Sequence, residues 1–238
     1  MKSESIKALL LSNSTMPGQS FFTWPRPYVL EFLRGKKEIL FIPYAAVTLS
    51  MDDYAAKVRD VFDEMGFQVK SLHEVREKSE GIMNTDAIVT GGGNTFALLH
   101  RLQQEGLMNV IREQVLAGKP YVGWSAGANL GAPTIMTTND MPVAWPSSPE
   151  ALALVPFQIN PHYHELKFEG QGGETRKERL EEFVEMNPEK FVVGLPEGML
   201  LERDGDKLML KGNGVAKRYV KGKTIESLES GDLSHLLV

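Results

Sequence analysis

The sequence predicts an α/β fold, a mostly parallel sheet with helices on both faces, and three observations carry that prediction. Short apolar runs alternate with helix-period segments through the first half of the chain. Two of those runs pass directly into glycine-rich turns, Gly91-Gly92-Gly93 and Gly123-Trp124-Ser125-Ala126-Gly127. A hydrophobic content of 42% over 238 residues is enough for one large core, so residues 1–238 are expected to form a single α/β domain.

Ala8-Leu9-Leu10-Leu11 and Glu38-Ile39-Leu40-Phe41-Ile42 read as buried strands, because the runs are continuously apolar and too short for a helix. Between positions 52 and 65, Tyr54, Val58, Val61, Phe62 and Met65 fall on one helical face, which Gly66 terminates. Gln68-Val69-Lys70 is a weaker third strand. Asp86-Ala87-Ile88-Val89-Thr90 is a fourth; it enters the triple glycine and then a helix over 96–104. A second helix over 107–117 stops at Gly118 and delivers the chain to the strand before Ser125. Residues 137–161, rich in Pro, Ser, Asn and Asp, are irregular, and loops of that length in a compact domain are usually functional. A helix over 175–186, with Leu180, Phe183 and Val184 inward, ends at Asn187-Pro188 and precedes the strand Phe191-Val192-Val193-Gly194-Leu195. The alternating segments 207–211 and 215–220, separated by Gly212-Asn213-Gly214, predict an antiparallel hairpin or meander at the sheet edge.

Composition narrows the chemistry. The net charge of −5 with dispersed Lys and Arg offers no basic stripe for nucleic acid. There is no cysteine, which excludes a thiol nucleophile, disulfides and thiolate metal sites. The apolar run after the charged N-terminus is too short for a signal or membrane segment, so a cytoplasmic protein without membrane partners is expected.

Gly123-Trp124-Ser125-Ala126-Gly127 between a strand and a helix is the pattern that raises a serine hydroxyl as a nucleophile. The competing reading is a glycine-softened turn with a serine cap. Serine needs a base within hydrogen-bond reach and a third group to orient that base. Of five histidines, His162 stands out because Asn160-Pro161-His162-Tyr163-His164 follows an apolar run at the end of a strand, where chemistry gathers in open α/β sheets. His73, His100 and His235 read as surface or packing residues. His162 and His164 at period two also suggest a metal pair, but no further ligand stands at suitable spacing, so no metal is expected. Two acids compete to orient the base: Asp140 in the irregular segment and Glu197 after the strand ending at Leu195. Spacing does not choose between them. Backbone N–H groups of Gly92, Gly93 and Ala126 are the candidate oxyanion donors. The glycines lack the spacing of a dinucleotide or phosphate loop.

Seven collinear motifs then point to a family. They are Ser12-Asn13-Ser14-Thr15, Gly91-Gly92-Gly93-Asn94-Thr95-Phe96, Gly123-Trp124-Ser125-Ala126-Gly127-Ala128-Asn129, Thr137-Thr138-Asn139-Asp140-Met141-Pro142, Gln158-Ile159-Asn160-Pro161-His162, Gly173-Glu174-Thr175-Arg176 and Gly194-Leu195-Pro196-Glu197-Gly198. Together they resemble the peptidase E family of α-aspartyl dipeptidases. The resemblance implies a serine peptidase on a flavodoxin-like sheet, related to class I glutamine amidotransferases, that cleaves dipeptides with an N-terminal aspartate. It implies Ser125 as nucleophile, His162 as base, either Asp140 or Glu197 as third member, and Arg176 as the residue that selects aspartate; Asn94 joins Arg176 as a candidate substrate-binding residue. No cofactor is implied, and the partner is a small dipeptide, with a monomer or homodimer expected. Trp145-Pro146-Ser147-Ser148-Pro149 and residues 163–172 depart from the family pattern and bear on the pocket walls. Three rivals stay in view: a cyanophycinase-like hydrolase of β-Asp-Arg material, a small esterase using His235, and a non-catalytic protein that binds acidic ligands.

Overall fold

The computed structural model describes residues 5–167 and 172–238. Strands β1 (Lys7–Leu11), β2 (Glu38–Ile42), β3 (Gln68–Ser71), β4 (Ala87–Thr90) and β5 (Tyr121–Trp124) run parallel in the order β3-β2-β4-β5-β1. Their alternate residues serve opposite faces of the sheet. Leu9, Leu11, Ile39, Phe41 and Val89 pack with Val29 of α1 (Arg26–Phe32) and with Ala55, Val58 and Phe62 of α2 (Met51–Glu64). Leu10, Leu40, Ile42 and Ile88 pack instead with Ile82 of α3 (Lys78–Asn84), Leu98 and Leu102 of α4 (Thr95–Gln104), and Ile111 and Val115 of α5 (Met108–Leu116). Both faces are therefore covered, and each fully buried Leu, Ile or Phe side chain contributes about 1.5–3 kcal/mol.

Helix α2 forms where its pattern predicts. Ser50 caps it by accepting from the Asp53 N–H at 3.0 Å, and Asp52 and Asp53 place negative charge in its first turn. Helix α6 (Ala126–Leu130) follows β5 directly and is buried at every residue. Among the described residues no helix is long and apolar enough to cross a membrane.

The chain continues into a second sheet. Strands β6 (Gln158–Tyr163) and β7 (Phe191–Pro196) pair in parallel; β10 (Ala216–Val220) and β11 (Glu226–Leu228) complete the order β11-β10-β7-β6. Helix α7 (Arg176–Met186) buries Leu180 and Val184 against Tyr163, Val192 and Tyr219 of this sheet. After β7 the chain turns through Glu197-Gly198 into β8 (Met199–Asp204), which pairs antiparallel with β1 in the first sheet. With β9 (Lys207–Gly212) and β12 (Gly231–Asp232) it extends that sheet to eight strands.

The hairpin expected between residues 207–211 and 215–220 does not form. β9 pairs with β8 and β12 in the first sheet, whereas β10 pairs with β7 and β11 in the second. Gly212-Asn213-Gly214 is thus a crossing between sheets, and Gly212 has φ of +110°. A Cβ on Gly212 would lie 2.1 Å from the Gly198 carbonyl oxygen, so that crossing needs glycine. The true hairpin joins β8 to β9 through Gly205 (φ +62°) and Asp206, and that Gly-Asp pair is its sequence signal. The segment expected to be irregular, 137–161, is so only up to residue 157, with an isolated bridge from Glu150 to Thr134; its last four residues, Gln158 to Pro161, belong to β6.

Candidate active site

The carboxyl ends of β1, β2, β4, β5, β6 and β7 converge on one edge, where open α/β sheets place their chemistry. Ser125 occupies the sharp turn between β5 and α6 with φ 53° and ψ −110°, a conformation that a residue with a Cβ adopts only under strain. The flanking glycines make this turn sterically feasible. A Cβ on Gly123 would lie 2.3 Å from the Gly127 carbonyl oxygen, and one on Gly127 would lie 2.3 Å from that of Thr90. The buried Tyr121 hydroxyl donates to the Gly127 carbonyl at 2.8 Å, and the Ser125 N–H donates to the Leu11 carbonyl at 3.0 Å. The serine turn is held from both sides.

His162 reaches Ser125 from the second sheet. Its Nε2 lies 2.9 Å from Ser125 Oγ and its Nδ1 lies 2.6 Å from Glu197 Oε1. With Nδ1–H donating to the carboxylate, Nε2 carries the lone pair that faces the serine hydroxyl. The side chains of His162 and Glu197 are 38% and 40% exposed, so solvent and ligand reach this row of groups. His162 is itself in the left-handed region (φ 52°), at a register shift of the β6–β7 ladder between Pro161 and Tyr163.

The structure brings Glu197, and not Asp140, to the imidazole. Asp140 Oδ2 instead accepts from the Thr95 N–H at 2.7 Å, from Thr95 Oγ1 at 2.6 Å and from Thr138 Oγ1 at 3.1 Å. That places its charge at the N-terminus of α4, where an anion is favoured. The two acids looked alike in sequence because both lie in turns, and only the pairing of β6 with β7 carries Glu197 to His162.

A cleft of about 180 Å³ lies over Ser125 and His162, lined also by Asn13, Ser14, Thr15, Tyr54, Gly92, Gly93 and Trp124. An adjoining cleft of about 390 Å³ shares Tyr54, Gly92 and Gly93 and adds Ala45–Leu49, Asn94 and Asp140. Within the glycine turn, the Gly91 N–H donates to the Ile42 carbonyl and the Asn94 N–H to the Ala45 carbonyl. The Gly92 N–H faces the Tyr54 hydroxyl, which also accepts from Trp124 Nε1 at 3.0 Å. Burial pushes the Tyr54 hydroxyl far up from the usual tyrosine range, so it stays neutral. Tyr54 was read as one residue of a core-facing helix stripe; nothing in that stripe marked it as a cleft residue.

Asn94 lines the wider cleft, but its amide is occupied at both ends. Oδ1 caps α4 by accepting from the Ala97 N–H at 3.0 Å, and Nδ2 donates to the Met141 carbonyl at 2.8 Å. Arg176 is the first residue of α7 and half-buried. Its Nη1 is buried without a hydrogen-bond partner among the described residues. Burial, and then the neighbouring Arg179, hold the Arg176 guanidinium below its ordinary value, while the Asp140 carboxylate acts in the opposite direction.

A serine on a strand–turn–helix elbow, in series with an imidazole and a carboxylate, is the arrangement of acyl-transfer hydrolases. The chain belongs to peptidase family S51, whose profile matches residues 8–211, and it is a peptidase. It is 47% identical over 210 residues to peptidase E of Nostoc sp. (strain PCC 7120 / SAG 25.82 / UTEX 2576), covering 88% of this chain and 87% of the other. It is 44% identical over 235 residues to peptidase E of Shewanella amazonensis (strain ATCC BAA-1098 / SB2B), covering 98% and 100%. The crystal structure of a peptidase from an acI-B1 Actinobacterium aligns with a TM-score of 0.69 over 97% of this chain and 98% of that one; at 20% identity the likeness is one of fold.

Proposed function

We propose that this peptidase hydrolyses dipeptides with an N-terminal aspartate by acyl transfer through Ser125. The observation that carries the reading is the hydrogen-bonded row from Ser125 Oγ to His162 Nε2 (2.9 Å) and from His162 Nδ1 to Glu197 (2.6 Å), on a strained elbow. His162 Nε2 takes the Oγ proton as the Oγ–C bond forms, and Glu197 stabilises the resulting imidazolium. The oxyanion is met by backbone N–H groups among Gly92, Gly93 and Ala126, which flank the serine turn. The imidazolium then protonates the leaving amine as the C–N bond breaks. Water, deprotonated by the same nitrogen, attacks the ester; the C–Oγ bond breaks and the proton returns to Oγ. Free aspartate is released.

Selectivity for aspartate is assigned to Arg176. A buried guanidinium nitrogen without a partner is costly in the free enzyme, and a bound side-chain carboxylate would satisfy it with charge-assisted hydrogen bonds. An uncharged side chain would leave it orphaned.

The test is product release from Asp-Leu or an Asp-anilide, with Glu, Asn, isoaspartyl and β-Asp-Arg analogues in parallel. Cleavage of the α-Asp compounds alone, abolished by Ser125→Ala, supports the reading. Absence of cleavage by folded protein overturns it, and turnover of β-Asp-Arg alone transfers the reaction to the β-linked class.

A further inference from the structure

The three members of the Ser125–His162–Glu197 row come from two different sheets, yet one short segment touches the backbone beside each of them. At the end of β1, the Leu11 carbonyl accepts from the Ser125 N–H at 3.0 Å. Ser12 Oγ accepts from the His162 N–H at 2.8 Å and donates to the Leu195 carbonyl at 2.8 Å. Asn13 Oδ1 accepts from the N–H of Gly198, the residue after Glu197, at 3.0 Å. Ser12 is completely buried and Asn13 is 2% exposed, so water does not replace either contact at low cost.

The place of Ser12 follows from a defect in the second sheet. Pro161 carries no N–H, and the β6–β7 register shifts between Pro161 and Tyr163, so the ladder fails at His162. His162 is in the left-handed region at that point, a conformation that persists only if its surroundings enforce it. A single hydroxyl can donate and accept at once. Ser12 Oγ does both, taking the His162 N–H and the Leu195 carbonyl that face each other across the shifted register. Asn13 is fixed in turn, since its Nδ2 donates to the Thr15 carbonyl at 2.8 Å.

We infer that Ser12 and Asn13 are positioning residues, which set the backbone of His162 and of the Glu197 turn against Ser125 so that the imidazole meets the serine and the carboxylate together. This inference rests on the acyl-transfer reading for its kinetic consequences, though not for its geometric ones. Ser12→Ala keeps the volume of the β1 end and removes both hydrogen bonds of the hydroxyl. The His162 backbone then relaxes, and misplacement of a reacting group by an ångström costs about 100-fold in rate.

The experiment compares wild type, Ser12→Ala, Ser12→Thr and Asn13→Ala by steady-state kinetics on Asp-Leu and by NMR of the histidine ring nitrogens and the low-field Nδ1–H proton. For Ser12→Ala with native near-UV circular dichroism, kcat falls roughly 10- to 100-fold while KM stays within about twofold. The low-field signal of His162 shifts or broadens. Ser12→Thr, which retains the hydroxyl, recovers most of both, and Asn13→Ala shows the same pattern to a smaller extent. A Ser12→Ala protein with wild-type kcat and an unchanged His162 signal overturns the inference and leaves the hydroxyl a simple stabiliser of the seam. Should Ser12→Ala fail to fold, Ser12→Cys takes its place, with a weaker donor and acceptor of similar size; wild-type kcat and signal in that variant overturn the inference equally. Failure of wild type to cleave any α-Asp dipeptide would remove the functional reading, whereas the NMR comparison would still decide the positioning role.

Discussion

At the level of single residues, the division of labour between Glu197 and Asp140 is the sharpest statement the site makes. Glu197 accepts from the imidazole, and Asp140 accepts from three donors at Thr95 and Thr138. Glu197→Gln keeps the shape but offers an amide, which favours the tautomer with the proton on the serine-facing nitrogen. The expected loss is in kcat, by as much as ~10⁴-fold, with thermal stability little changed. Asp140→Asn weakens the anion at the start of α4 and should behave in the opposite sense: stability falls by about 0.5–2 kcal/mol while kcat is kept within about tenfold. Denaturant midpoints and kcat for both variants decide the matter, and a Glu197→Gln enzyme with near wild-type kcat would contradict the proposed role. Ser125 was legible in sequence because its turn needs glycine where the Gly127 and Thr90 carbonyls come within 2.3 Å of an added Cβ, and steric demands of that kind leave a fixed spacing. His162 was legible through its place at a strand end. The acid was not, because its contact spans 35 positions and depends on which strands pair.

At the level of elements, α7 shows how local sequence chemistry serves a distant site. Thr175 and Glu178 form a reciprocal capping box, with the Glu178 N–H donating to Thr175 Oγ1 at 3.2 Å and the Thr175 N–H donating to Glu178 Oε2 at 2.6 Å. Arg176 sits inside this capped turn, where a cation opposes the helix dipole and where fraying would move it first. Thr175→Ala is expected to cost about 1 kcal/mol of stability. If Arg176 binds the aspartate side chain as proposed, the kinetic mark is a higher KM for α-Asp dipeptides with kcat nearly unchanged, because the lost order then concerns binding and not the serine. A fall in kcat at constant KM would place Arg176 in the chemical step instead. The cap was legible as a helix start near 175, as were the buried strands β1, β2, β4, β5 and β7 and the helices α2, α4 and α5; β8 was not called, although it buries Met199, Leu200 and Leu201 and pairs with β1. Two short helices were not: α1 buries only Val29 and α3 only Ile82, so neither leaves a periodic stripe. The 207–220 region failed for another reason. Its two strands alternate as hairpin partners would, but each belongs to a different sheet, and alternation records which face is buried without recording the neighbour.

At the level of the molecule, Ser125 follows a strand of the eight-stranded sheet, and His162 and Glu197 come from the four-stranded one, so their hydrogen-bonded row exists only while the sheets are docked. Whether docking can fail separately depends on how the apolar core is divided. Ile159, Val193, Leu195 and Ala216 of the second sheet lie in the same buried cluster as Leu10, Ile88, Leu201 and Leu210 of the first. Among the described residues, Tyr163, Leu180, Val184, Val192 and Tyr219 form a cluster private to the second sheet and α7. A shared core of that kind cannot be opened along the seam without exposing apolar surface on both sides, at roughly 25 cal/mol for each Å². The sheets should therefore unfold together. In a urea titration, peptidase activity, near-UV and far-UV circular dichroism are expected to follow one transition with a common midpoint, as for a cooperative unit. Substituting Leu195→Ala, at the junction of the shared core and the Ser12 hydroxyl, should cost about 2–5 kcal/mol of stability and so lower that midpoint without splitting the transition. Activity lost well before the dichroism changes would show instead that the second sheet undocks as a unit, and the private cluster around Tyr219 would then be the element that keeps it folded.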